Sequence, residues 1–445
     1  MKRIPKSLRL AAVMLSIGAL IAGCSSSATT APTQVPATPA PATAAASQAE
    51  ATAAASSAAA SSAAVACPQT SKTTFTVAMI RWTASDIYFN GEQLGEQIEK
   101  DRIEKDCGVT INWKVFGAND DSQQLNALQA DLSAGVDGVD ISPYEEAGFT
   151  SIMQQLNAQK MPVVTHGSPI PNAWQLFVGI DNTKAGLIAG QAAVKALDAA
   201  RGTGWRTQTG IFIELRCIIT ATFDIGRDKG YHEAIDPIVA ASGGKITIQT
   251  REVSCDDSKA RQATDDLITH YGQNDILGIL AIDGDSGFGA ASSLTAHGMT
   301  VAKTDPKYVP DVAVDGSEAE FIAMSTGTMT DAAEQPAVAI GIVAERLLYQ
   351  EMATGQLIAP TSNSTFDMPD YSGAPWAPVN VTASPSGVVD EQTSFTGAWY
   401  EPQTFDAASL SLDDHWHWAN ILDQSQTGQW PHYDSTGCAS GCPKS

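Results

Sequence analysis

The sequence predicts an α/β protein built from two doubly wound parallel-sheet lobes. From Thr73 onward, short apolar runs alternate with longer segments of helical period, and from Thr209 the same series starts again. The stretch from Ile276 to Ile282 is apolar, which is typical of a strand buried on both faces of a parallel sheet. Alternating strands and helices imply right-handed parallel crossovers, and each series has about the length of one modest domain.

Each series supplies four strands with helices between them. In the first series, the predicted strands are residues 74–80, 109–116, 135–143 and 161–167, and the helical segments are 90–106, 120–135 and 145–160. In the second series, the strands are 209–215, 245–253, 275–282 and 309–316, and the helical segments are 226–242, 257–271 and 286–298. Ligands of open α/β sheets gather outside the carboxyl ends of the strands, and Asp283 stands at such an end.

The N-terminus predicts an export signal followed by a tether. Four basic residues precede an apolar stretch, residues 10–22, which is too short to span a bilayer comfortably. The stretch ends in LIAGC and resembles the lipobox of bacterial lipoproteins, which implies a signal peptide of residues 1–23 and a lipid on Cys24. The alternative is a plain membrane helix. Residues 24–66 are almost wholly Ala, Ser, Thr and Pro, and we expect a disordered tether.

The charge and the cysteines restrict the class of protein further. The chain carries 49 Asp and Glu against 26 Lys and Arg, which disfavours nucleic acid and anionic membrane surfaces as partners. Six of the seven cysteines remain when the lipidated one is set aside, an even number in an exported protein. We predict the disulfides Cys67–Cys107, Cys217–Cys255 and Cys438–Cys442. The alternative is free, buried thiols.

The C-terminal region departs from the α/β pattern. Beyond about residue 356 the alternation ends, and residues 369–445 are predicted to form an irregular, aromatic-rich extension packed on a lobe. His415 and His417 lie near two carboxylates in DDHWHW, but they share a face only on a strand, and no further pair of metal ligands has suitable spacing. No nucleophile, phosphate loop or dinucleotide fingerprint stands out, so we expect no enzyme, no metal and no cofactor.

Five short motifs carry a family resemblance. They are ISP (residues 141–143), PVV (162–164), VGIDN (178–182), GRDKGY (226–231) and VDG (314–316). In this order they resemble the type I periplasmic binding proteins, in particular the ribose-binding-like group that serves sugar ABC transporters. The resemblance covers roughly residues 73–354. It implies two lobes joined by a three-strand hinge and closing on a small solute.

The resemblance also implies how the chain divides. The helix from Ala337 to Thr354 is expected to return to the first lobe, which then comprises residues 67–192 and 336–354. The second lobe comprises residues 193–335 and about 355–368.

The resemblance assigns candidate ligand contacts residue by residue. The loop SDIYFNG matches the aromatic-bearing loop of the family, which makes Tyr88 and Phe89 stacking candidates and Asp86 a polar contact. Asp283 and Asp315 match ligand positions at strand ends. Both could instead cap the helices that follow, because Asp is favoured at N-caps. The C–H face of a sugar stacks on aromatic rings, and carboxylates bind its hydroxyls.

Further candidates come from positions where the sequence differs from the family. Glu334 stands where the family often has Gln before the last hinge crossing. His166 occupies the place of an Asp-Arg pair after PVVT. Asp224 is among the nearest replacements for a second arginine, and Arg81 and Trp82 could enter the cleft from the first strand. Without both arginines, the predicted site is unusually acidic.

These observations together predict a monomeric, lipid-anchored solute-binding receptor on the outer face of the membrane. It would bind a small sugar or polyol and deliver it to an ABC permease and its ATPase. The alternatives are a sensor that presents its ligand to a chemoreceptor or kinase, and a binder of a cationic amine or amino sugar. A hydrolase on this scaffold lacks a nucleophile paired with a base.

Overall fold

The computed structural model describes the two-lobed body of the chain. It covers residues 65–82, 86–170, 176–358, 364–366, 368, 379–383, 396–400, 404–406, 432–434 and 437–440. The signal segment, Cys24 and the tether up to residue 64 lie outside the described residues. Among the described residues, no helix combines the length and the hydropathy that a membrane span requires.

The first lobe is a sheet in the order β11-β12-β13-β5-β4-β3-β1-β2, covered by helices. Strands β1 to β5 are parallel, β13 adds a further parallel strand beside β5, and β12 is antiparallel to both of its neighbours, β13 and β11. Its strands are β1 (Thr74–Arg81), β2 (Thr110–Gly117), β3 (Gly138–Ile141), β4 (Val163–His166), β5 (Leu176–Ile180), β11 (Ser364–Phe366), β12 (Val379–Ala383) and β13 (Thr396–Tyr400). Its helices are α1 (Ile87–Cys107), α2 (Asp121–Ala134), α3 (Thr150–Ala158) and α9 (Ala337–Thr354).

The second lobe is a sheet in the order β14-β10-β9-β8-β6-β7, in which only β14 is antiparallel. Its strands are β6 (Gly210–Arg216), β7 (Ile246–Glu252), β8 (Ile276–Ala281), β9 (Asp311–Asp315), β10 (Asp331–Glu334) and β14 (Thr404–Asp406). Its helices are α4 (Asn182–Arg201), α5 (Thr222–Ala241), α6 (Asp257–Tyr271), α7 (Gly284–Ala296) and α8 (Glu318–Thr326). The predicted fold class, two doubly wound parallel-sheet lobes, is confirmed.

Aspartates after strands start most of the helices. Asp86, Asp120, Asp181, Asp256 and Asp283 each take the N-cap position, where a side-chain oxygen accepts backbone N–H groups of the first turn. These caps satisfy donors that have no partner inside the helix. Because each cap follows a strand, the aspartates gather at the carboxyl ends of the sheets.

Glycines let one helix pair in each lobe cross closely. A Cβ at Gly341 of α9 would overlap the carbonyl oxygen of Glu92 in α1. In the same way, a Cβ at Gly186 of α4 would overlap the carbonyl oxygen of Arg227 in α5. Each pair forms one helical layer of its lobe. Arg227 and the acidic face of α1 are therefore held firmly against their sheets.

The chain crosses between the lobes earlier than the sequence predicted. Helix α4 packs against α5 and strands β8 to β10, so the first crossing lies ahead of Asn182, and the predicted boundary after residue 192 is wrong. Helix α9 packs against α1 and strands β3 to β5, as the resemblance implies. The second crossing therefore joins β10 to α9.

The C-terminal strands supply the third crossing. Strand β11 pairs in the first sheet, so the assignment of residues 355–368 to the second lobe is wrong. Strand β13 belongs to the first sheet and β14 to the second, so the chain crosses a third time between Tyr400 and Thr404. The described parts of the extension thus join both sheets. A short hairpin follows, β15 (His432–Asp434) with β16 (Gly437–Ser440).

Among the described residues, each lobe has one disulfide that ties two of its elements together. Cys67 is bonded to Cys107 at the end of α1, and Cys217, after β6, is bonded to Cys255, before α6. The predicted third pair involves Cys442, which lies outside the described residues.

Candidate functional site

A cavity lies between the carboxyl ends of the two sheets. It encloses about 520 Å³ of empty space, its open mouth included. The first lobe contributes Trp82, Asp86, Tyr88, Phe89, Ser142, Pro143, His166, Gly167 and Ser168. The second lobe contributes Phe223, Arg227, Cys255, Asp283, Asp285 and Asp315, and Gln335 lies at the second crossing.

The first lobe presents a wall of aromatic rings. The Trp82 ring stacks on Phe89 with centroids 5.0 Å apart and planes at 19°, and Tyr88 meets the edge of Phe89 at 5.1 Å. The Trp82 indole N–H donates to the Pro143 carbonyl at 3.0 Å, which fixes the orientation of the ring. Phe223 of the second lobe lies 6.2 Å from Trp82, measured between centroids. Apolar faces therefore bound the cavity from both sides.

The second lobe presents carboxyl groups. Asp283 accepts the Ser286 N–H at 3.3 Å, so one of its carboxylate oxygens caps α7, as the alternative interpretation expected. Asp315 accepts the Gly284 N–H at 2.9 Å. Burial raises the pKa of Asp283 and Asp315, and the nearby Arg227 only partly counteracts it. Burial and the neighbouring Asp283 raise the pKa of Asp285 to about 8. Acids in such an environment favour a partner that neutralises or hydrogen-bonds them.

Asp86 faces these acids from the first lobe. Its side chain accepts the backbone N–H groups of Tyr88 at 2.9 Å and Phe89 at 3.2 Å. Burial, assisted by Asp283 across the cavity, raises the pKa of Asp86 to about 6, although these hydrogen bonds act to lower it. The cavity thus has four carboxyl groups, contributed by both lobes.

Arg227 lines the cavity but was not among the predicted ligand residues. Its guanidinium donates to Asn182 Oδ1 at 3.0 Å, to the Ile282 carbonyl at 2.8 Å and to the Gln335 side-chain oxygen. It lies 3.6 Å from Asp315 and 5.2 Å from the centroid of the Phe223 ring. The cavity therefore contains an arginine other than the predicted Arg81. The signal was the arginine of GRDKGY, which the prediction used only as a family motif.

His166 forms part of the floor, and its ring is held from beneath by acids. Nδ1 lies 2.6 Å from Glu92 Oε2 and 2.6 Å from the Ser142 hydroxyl, and Nε2 lies 2.6 Å from Asp140 Oδ1. Burial alone would lower the pKa of His166, but the Glu92 and Asp140 carboxylates raise it well above its usual value.

Three predicted ligand residues do not line the cavity. The Asp224 carboxylate pairs with Arg216 and accepts the Cys217 N–H at 2.7 Å, so it fixes the turn after β6. Arg81 points along α1, where its guanidinium donates to Asn90 Oδ1 at 3.2 Å. Glu334 is the last residue of β10 and is not among the residues that line the cavity, whereas its neighbour Gln335 is. The prediction was one residue out of register.

Gln335 connects the two lobes at the second crossing. Its amide NH₂ donates to the Tyr88 hydroxyl at 2.5 Å, and its oxygen accepts from Arg227. Next to the lining residue Phe223, the Thr222 N–H and hydroxyl donate to Glu146 of the first lobe at 2.9 Å and 3.0 Å. The lobes thus contact each other at two separate places, as in a closed arrangement.

Two doubly wound lobes, three chain crossings and a cavity at the strand ends define a bilobal solute-binding protein. Comparison with family models bears this out, because residues 77–356 match the periplasmic binding protein domain. The chain belongs to this family, which consists of extracytoplasmic solute-binding proteins, not of enzymes.

Individual relatives are distant. The chain is 24% identical to the ribose import binding protein of Bacillus subtilis (strain 168) over 233 residues, which cover 52% of this chain and 69% of the relative. Among solved structures, the Caulobacter myo-inositol binding protein has a TM-score of 0.57 at 17% identity, covering 76% of this chain and 95% of its own. A solute-binding protein from Actinobacillus succinogenes 130z with bound D-allose has a TM-score of 0.56 at 15% identity, with coverages of 75% and 98%. At these identities, the structural likeness shows the fold alone.

Proposed function

We propose that this protein is the extracytoplasmic receptor of an ABC importer and that it binds a small sugar or polyol between its lobes. The ligand would bridge both walls and thereby favour the closed arrangement, because only that arrangement offers all the contacts at once. The closed receptor would then deliver its ligand to a membrane permease and its ATPase, which are separate chains.

One observation carries the proposal: aromatic rings and carboxyl groups face each other across a single cavity between the lobes. A sugar has apolar C–H faces and a rim of hydroxyls, so it needs both kinds of surface. Trp82 and Phe223 are placed to stack on its faces, while Asp283 and Asp315 are placed to accept from its hydroxyls. Arg227 would donate to ring or hydroxyl oxygens.

The relatives support the class of ligand. Those compared above are described as binding ribose, myo-inositol and D-allose, all small polyhydroxylated rings. A fourth similar structure is a galactofuranose binding protein, at a TM-score of 0.54 and 19% identity. The proposal transfers only the chemical class, because the residues that line this cavity differ from the ribose-binding pattern at the positions of its two arginines.

A cationic amine or amino sugar is a second candidate. Four carboxyl groups, those of Asp86, Asp283, Asp285 and Asp315, face the cavity, and Arg227 is the one permanently charged cation among the described lining residues. A ligand with a positive charge would relieve the repulsion among these acids, and aromatic rings also attract cations.

The remaining parts of the proposal concern location and assembly. We propose that Cys24 carries a lipid and anchors a monomeric receptor to the outer face of the membrane through the tether. Presentation of the bound ligand to a sensor kinase or a chemoreceptor remains the alternative use of the same closed state.

The proposal is tested by a thermal-shift panel of neutral sugars, polyols and amines on the chain that starts at residue 25. A ligand at a hundred times its Kd should stabilise the protein by about 2.7 kcal/mol. The variant Asp315→Asn should abolish the shift, whereas Glu334→Gln, the neighbouring acid outside the cavity, should leave it intact. Stabilisation by cationic amines alone would replace the sugar with the second candidate, and an unchanged shift in Asp315→Asn would contradict the assigned site.

A further inference from the structure

We propose that the first lobe binds a divalent transition-metal ion between Glu96, Asp140 and His166, directly beneath the floor of the cavity. The proposal concerns the interior of this lobe and does not depend on which solute the cavity accepts. It rests on the placement of the three side chains, on the unpaired oxygens around them and on the balance of charge.

The location is unusual for ionisable groups. Strands β3 and β4 are inner strands of the first sheet, and helices α1 and α9 cover the face on which Asp140 and His166 lie. Such a face is normally apolar because it has no access to water. Here Glu92, Glu96, Asp140, His166 and Glu345 are each at most 2% exposed.

The spacing of the atoms fits a metal-binding set. Nε2 of His166 lies 2.6 Å from Asp140 Oδ1 and 3.3 Å from Glu96 Oε1, and the three ligand atoms all lie within 4.8 Å of one another. An ion bound at about 2.0–2.2 Å from each atom would sit between them with ligand atoms roughly 3 Å apart. Small side-chain movements would achieve this separation.

The other ring nitrogen is held as metal-binding histidines usually are. Nδ1 of His166 lies 2.6 Å from Glu92 Oε2, and in the neutral tautomer that donates from Nδ1 to this oxygen, the ring keeps the lone pair on Nε2 that a metal ion needs. In that tautomer, the Nε2 lone pair faces the Asp140 and Glu96 oxygens. Lone pairs this close repel unless a proton or a metal ion lies between them.

Unpaired oxygens give independent support. Asp140 Oδ2 and Glu92 Oε1 are fully buried and have no hydrogen-bond partner within the part of the chain that the structure describes. Leaving such an oxygen unpaired costs about 1–3 kcal/mol, and more when the group is charged. Asp140 could use its second oxygen to bind the ion in a bidentate manner.

The charges around the site also require a cation. Three carboxyl groups, those of Glu92, Glu96 and Asp140, surround the single imidazole. Glu345 of α9 adds a fourth carboxyl group that interacts electrostatically with Glu96 and Asp140. The nearby Arg346 is engaged with Glu99. Buried charges of one sign are tolerated when they bind a metal.

The donor set selects the ion. One imidazole nitrogen with carboxylate oxygens and no sulfur favours Zn²⁺ or Mn²⁺ over Ca²⁺ and Mg²⁺, which prefer oxygen ligands alone. A bound ion would fix the ring of His166 and hence the floor of the cavity.

The second lobe contains a cluster of the same composition that serves as a matched control. Glu214, Asp228 and His232 also place ligand atoms close together. In that cluster Arg216 contacts Asp228 at 2.6 Å and Thr250 donates to Glu214 Oε2 at 2.8 Å, so a cation is already present, although Glu214 Oε1 has no hydrogen-bond partner among the described residues. His232 is also about a third exposed, at 36% of its side chain. We therefore expect no tight binding there.

The test measures metal binding to the chelator-treated chain from residue 25 onward. Zn²⁺, Mn²⁺, Ca²⁺ and Mg²⁺ are titrated separately by calorimetry, and the bound metal is counted by elemental analysis after desalting. One equivalent of Zn²⁺ or Mn²⁺ per chain is expected. No binding, or binding of Ca²⁺ and Mg²⁺ alone, would overturn the proposal and leave proton sharing as the explanation of the short contacts.

Three isosteric variants locate the site. Asp140→Asn should abolish binding, and Glu92→Gln, which alters only the positioning of His166, should weaken it 10- to 100-fold. Asp228→Asn in the control cluster should leave the affinity and the stoichiometry unchanged. Retention of one equivalent by Asp140→Asn, or its loss in Asp228→Asn, would place the ion elsewhere and overturn the proposal.

A measurement on the unmodified protein tests the proposal without relying on variants that could fail to fold. One equivalent of Co²⁺ should give visible absorption bands characteristic of nitrogen and oxygen ligands. One equivalent of Zn²⁺ should abolish these bands by displacement. Absence of the bands would contradict the proposal even if Asp140→Asn failed to fold.

Discussion

The two lobes place their acids in different positions relative to the cavity. In the first lobe, the carboxyl groups lie beneath the surface around His166, and the wall that faces the cavity is mainly aromatic. In the second lobe, Asp283, Asp285 and Asp315 stand at the strand ends and face the cavity directly. The same residue type therefore serves the interior of one lobe and the binding surface of the other.

This difference separates two ways of compensating buried negative charge. The acids of the first lobe can be neutralised only by something inside the lobe, a proton or a metal ion. Those of the second lobe have Arg227 at 3.6 Å from Asp315 and backbone N–H donors to Asp283 and Asp315, and they also face the cavity. We therefore expect solute binding to depend on the acids of the second lobe, and the rigidity of the floor to depend on those of the first.

The largest effect is expected from removing Arg227, the cation of the second-lobe wall of the cavity, which is called the second wall below. Arg227→Met removes the donor to Asn182 and Ile282 and leaves Asp315 without its countercharge, so the free energy of unfolding in urea should fall by about 3–5 kcal/mol. The matched control is Arg206→Met. Arg206 pairs with Asp198 at the surface, where an ion pair contributes about 0–1 kcal/mol. Equal losses in the two variants would show that Arg227 is not a buried partner of this wall.

The acids of the second wall distinguish a neutral ligand from a cationic one. For a sugar, Asp283→Asn should weaken binding about 10- to 100-fold through a lost charge-assisted hydrogen bond, and Asp285→Asn should change the Kd little. For an amine, both variants should weaken binding, and the affinity should also fall as salt is added. Calorimetric titration of each variant at two salt concentrations checks the prediction.

A smaller effect is expected from the aromatic wall of the first lobe. Trp82→Ala should raise the Kd about 10-fold because a stacking surface is lost, and Trp82→Phe should recover most of this loss. Trp113→Phe, on β2 and outside the cavity, is the control. If Trp82→Phe bound as weakly as Trp82→Ala, the indole N–H bond to Pro143 would matter more than the ring face.

Much of this architecture could be predicted from the sequence because its signals are local. Apolar periodicity marks β1 to β4 and β6 to β9, and the predicted aspartates fall at strand ends because N-caps follow strands. The predicted aromatic residues Trp82, Tyr88 and Phe89 all line the cavity, as do Asp86, His166, Asp283 and Asp315. They share the short turns that lead from strand to helix.

Features that depend on distant pairing could not be predicted. Strands β11 to β14 lie in sequence rich in Pro, Gly and Ser, and their partners include β5 and β10, far away along the chain. Arg227 was missed because its role depends on Asp315 and Gln335, which only the folded chain brings near. The acidic cluster around His166 did have one signal in the sequence that the prediction did not use. Glu92, Glu96 and Glu99 share one face of a helix, because they lie at i, i+4 and i+7.

The last prediction concerns pH, and it isolates the charge of the acids in the second lobe. Burial and Asp283 raise the pKa of Asp285 to about 8 in the folded protein, against 3.8 as its ordinary value. The folded state therefore binds this proton more tightly than the unfolded state, and stability is lost as the pH rises between those two values. In the ligand-free protein, Asp285→Asn should match the unmodified protein at pH 4 and be more stable at pH 8. Urea unfolding at both pH values checks this, and the reverse order at pH 8 would show that Asp285 is stabilised as an anion by the start of α7.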